Sequence, residues 1–234
     1  MYKLRLTFYA FLIFMLFGGC YSAQEPAKKQ LFSRFTKNRS SPFWTSTELD
    51  NSNCFVTDTT KNGSENKMFV YSTWNDDSLH LYFKVMDTDL RAYQKKEDHA
   101  QLFLDDMIEV LIDTKNTKDS CWSPGDLVYH VNIMGVKKDD IGNAACLSDA
   151  DWNGKAQFFV TLKGTLNDTM DIDKGYLLTM SFPWSEIGRR PTTGLTMGIN
   201  FANGDNDGRG RRLFDWVGAW PMRSPFAFGE IILK

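Results

Sequence analysis

The chain has 234 residues, a hydrophobic content of 42% and a formal net charge of −2. This length suits a single all-β domain with a full core, because β-sandwiches often reach this size undivided. The sequence has no basic footprint of the kind that nucleic-acid-binding proteins show, so we expect no nucleic-acid partner. Aromatic residues make up 14% of the chain, which favours a β-rich core or a surface that binds flat apolar ligand faces.

Residues 1–19 have the features of an export signal. Lys3 and Arg5 give a positive end, and the apolar run 6–17 is too short to span a bilayer comfortably. Two glycines and Cys20 follow, which resembles a bacterial lipoprotein signal, in which the cysteine after the cleavage point carries lipid. An ordinary signal peptide with an incidental cysteine is the alternative. We predict lipidation of Cys20 and a lipid-anchored location at the bacterial outer membrane or cell surface.

The rest of the chain divides into a tether and one domain. Residues 20–40 are polar and basic and are predicted to link the lipid to the domain, which spans residues 41–234. Three further cysteines, Cys54, Cys121 and Cys146, allow at most one intramolecular disulfide, and their spacing does not select the pair. They show no zinc-ligand spacing.

Short segments of alternating apolar residues predict the secondary structure. Residues 139–153 and 203–212 are predicted loops, and 183–188 is predicted to be one helical turn stopped by Gly188. The absence of a long helical period predicts an all-β fold: an antiparallel, jelly-roll-like β-sandwich in a single domain. The predicted strands lie at about 54–56, 67–74, 79–86, 106–112, 127–133, 156–162, 176–182, 195–201 and 228–233.

The strand near residue 109 carries an unusual carboxylate. Ile108, Val110 and Ile112 alternate with Glu109, so the glutamate points away from the apolar face. The simple interpretation is a solvated outer face, and the alternative is a polar site on an open sheet. If the strand at 127–133 pairs with this one, His130 and Asn132 join Glu109 on the same face.

The predicted loop after residue 202 is a candidate calcium site. Asp205 and Asp207 lie at alternate positions before Gly208, as at the start of an EF-hand loop, but the expected glutamate at the twelfth position is replaced by Phe214. A hydrophilic turn is the simpler interpretation. No cofactor is predicted with certainty, and calcium is the candidate ion. Looser candidate ligands are Asp87, Asp89, Asp105 and Asp106.

The order of several segments resembles the family 9 carbohydrate-binding modules and their relatives. The resemblance covers roughly residues 42–234 and implies an antiparallel β-sandwich that binds sugar on its concave sheet without cleaving it, with structural calcium in some members. The matching segments are the strand at Trp44, WNDDSLHLYFKVMDTDL (74–90), DDMIEVLID (105–113), YHVNIMG (129–135), GYLLTMSFPWSEIG (175–188), GINFANGD (198–205), Trp216, Trp220 and FGEIILK (228–234).

The resemblance implies the binding residues unevenly. Two aromatic positions that clamp a terminal sugar fall on Phe103 and near Trp220, and the family's glutamate in the acidic strand falls on Glu109. An arginine of the following strand is replaced by His130, and a later arginine corresponds to Arg211 or Arg212. An aromatic ring covers the apolar face of a pyranose, while charged and amide groups bond its hydroxyls. We therefore expect a non-catalytic carbohydrate-binding module for an oligosaccharide or polysaccharide, accessory to polysaccharide degradation.

Three other functions are alternatives to sugar binding. A glycosidase needs two carboxyl groups about 5–9.5 Å apart, whereas Glu109 and Asp113 are separated by four strand residues, or about 13 Å. A purely structural role in a cell-surface assembly is the second alternative. The third is a haem-binding domain of related fold, and its candidate axial ligands are His80, His130, Met86 and Met107.

Overall fold

The computed structural model describes residues 29–37, 66–208, 210–218 and 223–234, together with the backbone of 55–58. Within these residues the fold is nearly all-β, as the sequence predicts. The strands are β1 (Gln30–Phe35), β2 (Phe55–Asp58), β3 (Lys67–Trp74), β4 (Ser78–Met86), β5 (Met107–Asp113), β6 (Leu127–Asn132), β7 (Lys137–Gly142), β8 (Ser148–Asp149), β9 (Gln157–Leu162), β10 (Tyr176–Pro183), β11 (Thr196–Asn206), β12 (Arg211–Asp215) and β13 (Gly229–Leu233).

The helices are short. A single turn, α1 (Trp184–Ile187), ends where Gly188 adopts a left-handed conformation with φ 69°, as the sequence predicts. Two 3-10 turns cover Leu102–Leu104 and Pro225–Ala227. None of the helices in the described part of the chain has the length and apolar character needed to cross a bilayer.

The strands form one continuous mixed sheet. Its order is β8-β7-β6-β5-β11-β13-β1-β3-β4-β10-β9, with β12 paired to β11 and β2 paired to β3. Strand β1 joins the two halves and runs parallel to both of its neighbours, β13 and β3. The predicted antiparallel pairing is therefore wrong at this centre, where β1 runs parallel to its neighbours and the sheet is mixed and continuous.

Strand β1 also corrects the predicted tether. Residues 30–35 were assigned to the segment 20–40, because basic residues surround them, yet Leu31 and Ser33 are fully buried. Only one β1 side chain, Leu31, joins the main apolar core, so the segment lacks the long apolar alternation that identifies a strand. Its position depends on pairing with two strands that are distant in sequence.

The sheet curls so that its two halves face each other across the core. Phe83 on β4 packs edge-on against Phe201 on β11, with ring centres 5.9 Å apart. Tyr129 on β6 packs against Phe182 on β10 at 5.4 Å. The predicted core set of β5, Ile108, Val110 and Ile112, lies in this same cluster. The strand phase predicted around Glu109 is therefore confirmed.

Two predicted loops are strands. The segment predicted as a loop at 139–153 contains part of β7 and all of β8, and β7 has few apolar residues to mark it. Strand β11 extends to Asn206, and β12 follows as its antiparallel partner, so residues 202–206 and 211–215 form a two-stranded ribbon. This ribbon determines which face of the sheet each late side chain reaches.

A disulfide joins Cys121 to Cys146. It links the loop after β5 to the turn between β7 and β8, and it is one of the pairings that the sequence left open. Cys54 lies outside the described residues. The predicted signal, Cys20 and most of the tether also lie outside them.

Candidate functional site

The candidate site lies on the outer face of β5, β6 and β11, opposite the main core. Glu109 on β5 is paired across the sheet with His130 on β6 and with Ala202 on β11. Backbone pairing places the glutamate and histidine side chains on one face, as the sequence predicts. Glu109 is nevertheless fully buried and His130 is 3% exposed, so this end of the face is not simply solvated.

An arginine that the sequence did not single out completes the polar cluster. Arg223 Nε lies 2.8 Å from Glu109 Oε1, and Arg223 Nη2 lies 2.9 Å from His130 Nε2. Half of the Arg223 side chain is exposed, so it reaches the buried carboxylate from the solvent side. The arginine precedes the final 3-10 turn in a segment without periodicity, and no local pattern could have predicted its contact with β5.

His130 has two competing partners at one nitrogen. Its Nε2 also lies 3.3 Å from Glu109 Oε1. A guanidinium can only donate, so Nε2 accepts from Arg223 when it carries no proton and donates to Glu109 when it does. The histidine is thus held between a fixed donor and a fixed acceptor.

The charge of Glu109 is strongly stabilised. Burial alone would raise its pKa, but the hydrogen bond and charge of His130, with those of Arg223, outweigh burial and lower the pKa to about 2. Glu109 therefore remains a carboxylate throughout the physiological pH range. A fixed anion of this kind orients the Arg223 and His130 side chains that contact it.

An exposed aromatic ring lies beside this cluster. Phe103, in the 3-10 turn before β5, is 41% exposed, and the guanidinium carbon of Arg211 lies 5.2 Å from its ring centre. Burial lowers the pKa of Arg211, the negative charge of Glu109 raises it, and the positive charge of Arg223 lowers it, so all three charged groups interact. The structure therefore brings together four of the predicted site residues, Phe103, Glu109, His130 and Arg211, and adds Arg223.

The remaining predicted site residues have other positions. Asn132 donates to Gln94 O and to Asp105 Oδ2, both at 2.9 Å, and its amide oxygen accepts two backbone N–H groups of the following turn. It therefore holds loops together. Arg212 contacts Asp205 and Asp207 on the opposite side of the ribbon. Trp220 lies outside the described residues.

The other end of the same face is apolar. Leu111, Val128, Ala202 and Phe228 form a second buried cluster, and Trp122 packs on Phe228 with ring centres 6.0 Å apart. The expectation that the residues alternating with the core set are solvated is therefore wrong at Leu111, which is fully buried. An apolar patch therefore borders the cluster of Glu109, His130 and Arg223 on this face.

Three buried carboxylates form a separate cluster. Asp87, Asp106 and Asp205 each place a carboxylate oxygen within 4.8 Å of the others. Burial raises the pKa of Asp87 to about 6 and that of Asp106 to about 9. Repulsion from neighbouring carboxylates makes a smaller contribution in the same direction. Asp87 is 3% exposed and its Oδ2 has no hydrogen-bond partner. These are oxygen donors of the type that Ca²⁺ prefers, so the group fits a hard cation.

This cluster differs from the predicted calcium loop. Asp205 takes part, but Asp207 instead forms an ion pair with Arg212, and the residues around them form a strand and not an EF-hand-like loop. Of the looser candidates, Asp87 and Asp106 join Asp205. Asp89 pairs with Arg91, and Asp105 accepts the backbone N–H groups of Tyr93 and Gln94.

The candidate haem ligands do not converge. His80 Nδ1 lies 2.8 Å from Ser181 Oγ on the β4–β10 half of the sheet, whereas His130 contacts Glu109 and Arg223 on the other half. Met107 is fully buried, and Met86 is 44% exposed on β4.

The curled sheet and its charged outer site define a ligand-binding β-domain. A comparison with family profiles finds that residues 39–234 match the carbohydrate family 9 binding domain-like family. The chain therefore belongs to this family, whose members are binding modules. The resemblance noted from the sequence is confirmed.

Solved structures support the same fold. A family 9 carbohydrate-binding module from Caldicellulosiruptor kristjanssonii, in complex with cellotriose, has a TM-score of 0.64 at 17% identity, covering 88% of this chain and 94% of that one. The same type of module from that organism, in complex with glucose, has a TM-score of 0.64 at 18% identity, covering 88% and 96%.

A third structure, from Bacteroides uniformis and named as a candidate carbohydrate-binding protein, has a TM-score of 0.60 at 15% identity, covering 89% and 100%. A comparison with curated proteins finds no significant match.

Proposed function

We propose that this chain binds an oligosaccharide, without cleaving it, at the outer face formed by Phe103, Glu109, His130, Arg211 and Arg223. The observation that carries the proposal is the exposed Phe103 ring against the Arg211 guanidinium, on the face where the half-exposed Arg223 pairs with the buried Glu109. The ring offers apolar area to a sugar face, the two guanidinium groups offer donors to its hydroxyls, and the Glu109 carboxylate holds Arg223 in place. Family membership and the sugars bound to the similar modules support this assignment.

The physical scale of such a site is modest. Covering about 50 Å² of sugar face at roughly 25 cal/mol/Å² contributes about 1 kcal/mol per ring. A few hydrogen bonds, less the cost of association, then give dissociation constants of roughly micromolar to millimolar. This range suits an accessory module that keeps a partner enzyme near its polysaccharide, which is the role we propose.

Titration calorimetry with cellotriose and glucose tests the assignment. Phe103→Ala should weaken binding by roughly 1–2 kcal/mol through lost ring contact. Phe159→Ala is the matched control, because Phe159 is 47% exposed on β9, away from the site residues. Equal losses in the two variants, or release of reducing sugar by the parent protein, would overturn the proposal.

We further propose that the chain is exported and lipid-anchored through Cys20. The support is the apolar run 6–17 followed by two glycines and the cysteine. Cys20→Ser should move the protein from the detergent phase to the aqueous phase, since stable anchoring requires the acyl chains. Unchanged partitioning would contradict the anchor while leaving sugar binding untouched.

We also propose that Asp87, Asp106 and Asp205 hold a calcium ion. A cation would offset the repulsion among the three buried carboxylates. Calcium should raise the melting temperature, and Asp205→Asn should abolish the increase. Asp207→Asn is the matched control, because Asp207 lies in the same ribbon but pairs with Arg212. An equal calcium response in the parent and in Asp205→Asn would exclude this site.

A further inference from the structure

Two guanidinium groups belong to the proposed ligand-binding face. Arg223 and Arg211 both lie near Glu109, and Arg211 lies against the Phe103 ring, while the neighbouring Asp105 carboxylate is occupied by Asn132 and by backbone N–H groups. Arg223 forms the ion pair with Glu109 at 2.8 Å. The positive charge of Arg211 is therefore left without a carboxylate of its own in the site.

Arg211 also has unused hydrogen-bond donors. Its Nε and Nη2 are buried atoms without a hydrogen-bond partner. Leaving buried donors of a charged group unpaired costs free energy, so a ligand that accepts from both gains more here than at an already paired arginine. The guanidinium lies against the Phe103 ring, and an arginine stacked on a ring keeps its edge N–H groups available for bonds in its own plane.

A carboxylate is the acceptor that best matches such an edge. Its two oxygens accept two parallel N–H bonds from one guanidinium, whereas a sugar hydroxyl accepts at a single oxygen. A carboxylate also supplies the negative charge that the site lacks. A sulfate or phosphate ester could satisfy the charge too, but the planar two-oxygen geometry favours a carboxylate.

We propose that this site prefers sugars bearing a carboxylate, that is uronic acid residues, over neutral sugars, with Arg211 as the specificity-determining residue. This inference rests on the proposed function, because it specifies the substrate class of the same face. The sugar ring stacks beside Phe103, the half-exposed Arg223 donates to a hydroxyl, and the uronate carboxylate pairs with Arg211.

Paired ligands that differ in this one group provide the test. Glucuronate is compared with glucose, and galacturonate with galactose, by titration of the full chain at low ionic strength. We expect about tenfold tighter binding of the acidic member of each pair, which corresponds to about 1.4 kcal/mol. Added NaCl should reduce this preference and leave the affinity for neutral sugars unchanged.

Variants assign the preference to Arg211. Arg211→Gln should reduce the ratio between acidic and neutral ligands to near one, while Arg211→Lys, which keeps the charge but not the fork, should retain part of it. Lys84→Gln is the control for overall charge, since Lys84 is an exposed residue on β4. Circular dichroism and melting temperature confirm that each variant is folded.

The outcomes separate this inference from the function on which it rests. Neutral sugars binding as tightly as uronates would overturn the uronate preference and leave sugar binding intact. A preference that persists in Arg211→Gln, or is lost equally in Lys84→Gln, would overturn the role of Arg211. Binding of no ligand in either pair would overturn both proposals.

Discussion

The ion pair between Glu109 and Arg223 should respond asymmetrically to substitution. Glu109 is fully buried, whereas half of the Arg223 side chain is exposed. Replacing Arg223 with methionine keeps most of the side-chain volume but leaves the buried carboxylate with His130 as its remaining partner. Replacing Glu109 with glutamine leaves the Arg223 guanidinium without its anion, but this half-exposed side chain can rotate into the solvent.

This geometry sets the loss of unfolding free energy expected for each of the two variants. Removing one partner of a fully buried pair costs about 3–5 kcal/mol. Because Arg223 is half exposed and His130 remains 3.3 Å from the carboxylate, we expect about 2 kcal/mol for Arg223→Met. For Glu109→Gln we expect about 1 kcal/mol or less. The double variant should resemble Glu109→Gln alone, because no buried charge remains.

Urea denaturation at pH 7 measures these free energies of unfolding. The pH dependence gives a second check, since the pKa of Glu109 is lowered from 4.5 to about 2 in the folded protein. A lowered carboxylate pKa stabilises the fold above about pH 4.5, and this contribution is lost as the pH falls towards 2. The gap between the parent and Arg223→Met should narrow over that interval.

Two results would refute this reasoning. One is an Arg223→Met variant that loses no more stability than Glu109→Gln. The other is a double variant whose cost equals the sum of the single costs, because that additivity would mean that the two side chains do not interact.

The remaining predictions concern the strands and the disulfide. Val110→Asp and Leu111→Asp should both be severely destabilising in denaturation experiments, because both side chains are fully buried, on opposite faces of β5. A mild effect of Leu111→Asp would show that the cluster around Leu111 and Phe228 is open to solvent. Leu31→Ala should cost about 2–5 kcal/mol, since β1 lies at the centre of the sheet, whereas a tether residue would cost nothing. Reducing the Cys121–Cys146 bond, which spans 25 residues, should cost about 3 kcal/mol of unfolding free energy, and an unchanged melting temperature on reduction would contradict this.

The sequence predicted the parts of the fold that local periodicity determines. The alternation around Glu109 gave the correct phase of β5, and the similar alternation in β6 placed His130 opposite it. Strand β1 could not be predicted this way, because only Leu31 and Ser33 of its six residues are buried. Strand β7 consists mainly of charged residues, and Asp139 is buried there only because Lys137 Nζ and Gly154 N pair with its carboxylate. Both strands form through pairing with distant segments, which no local pattern records.

The family pattern and the pairing of predicted strands identified part of the site, but not Arg223. Arg223 could not be predicted, because the family pattern placed the arginine on the strand that carries His130. Its guanidinium arrives here from a different segment and contacts both His130 and Glu109. A charged partner of a buried carboxylate can thus come from any nearby loop, since only the position of the charge matters to the electrostatics.

The ribbon of β11 and β12 lies where the sequence predicted a loop, and this error left the choice between Arg211 and Arg212 open. In a loop, neighbouring side chains have no fixed relation, but on a strand they point to opposite faces. Arg211 lies opposite Asn206 on the outer side, and Arg212 lies opposite Asp205 on the side of the carboxylate cluster. The proposed sugar site and the proposed calcium site are therefore two faces of one ribbon. A substitution of Arg211 changes only the sugar face, so it should weaken sugar binding and leave the free energy of unfolding unchanged. Loss of a calcium ion at Asp205 would loosen the backbone that positions Arg211. Sugar affinity and stability should therefore fall together only when the ion is lost.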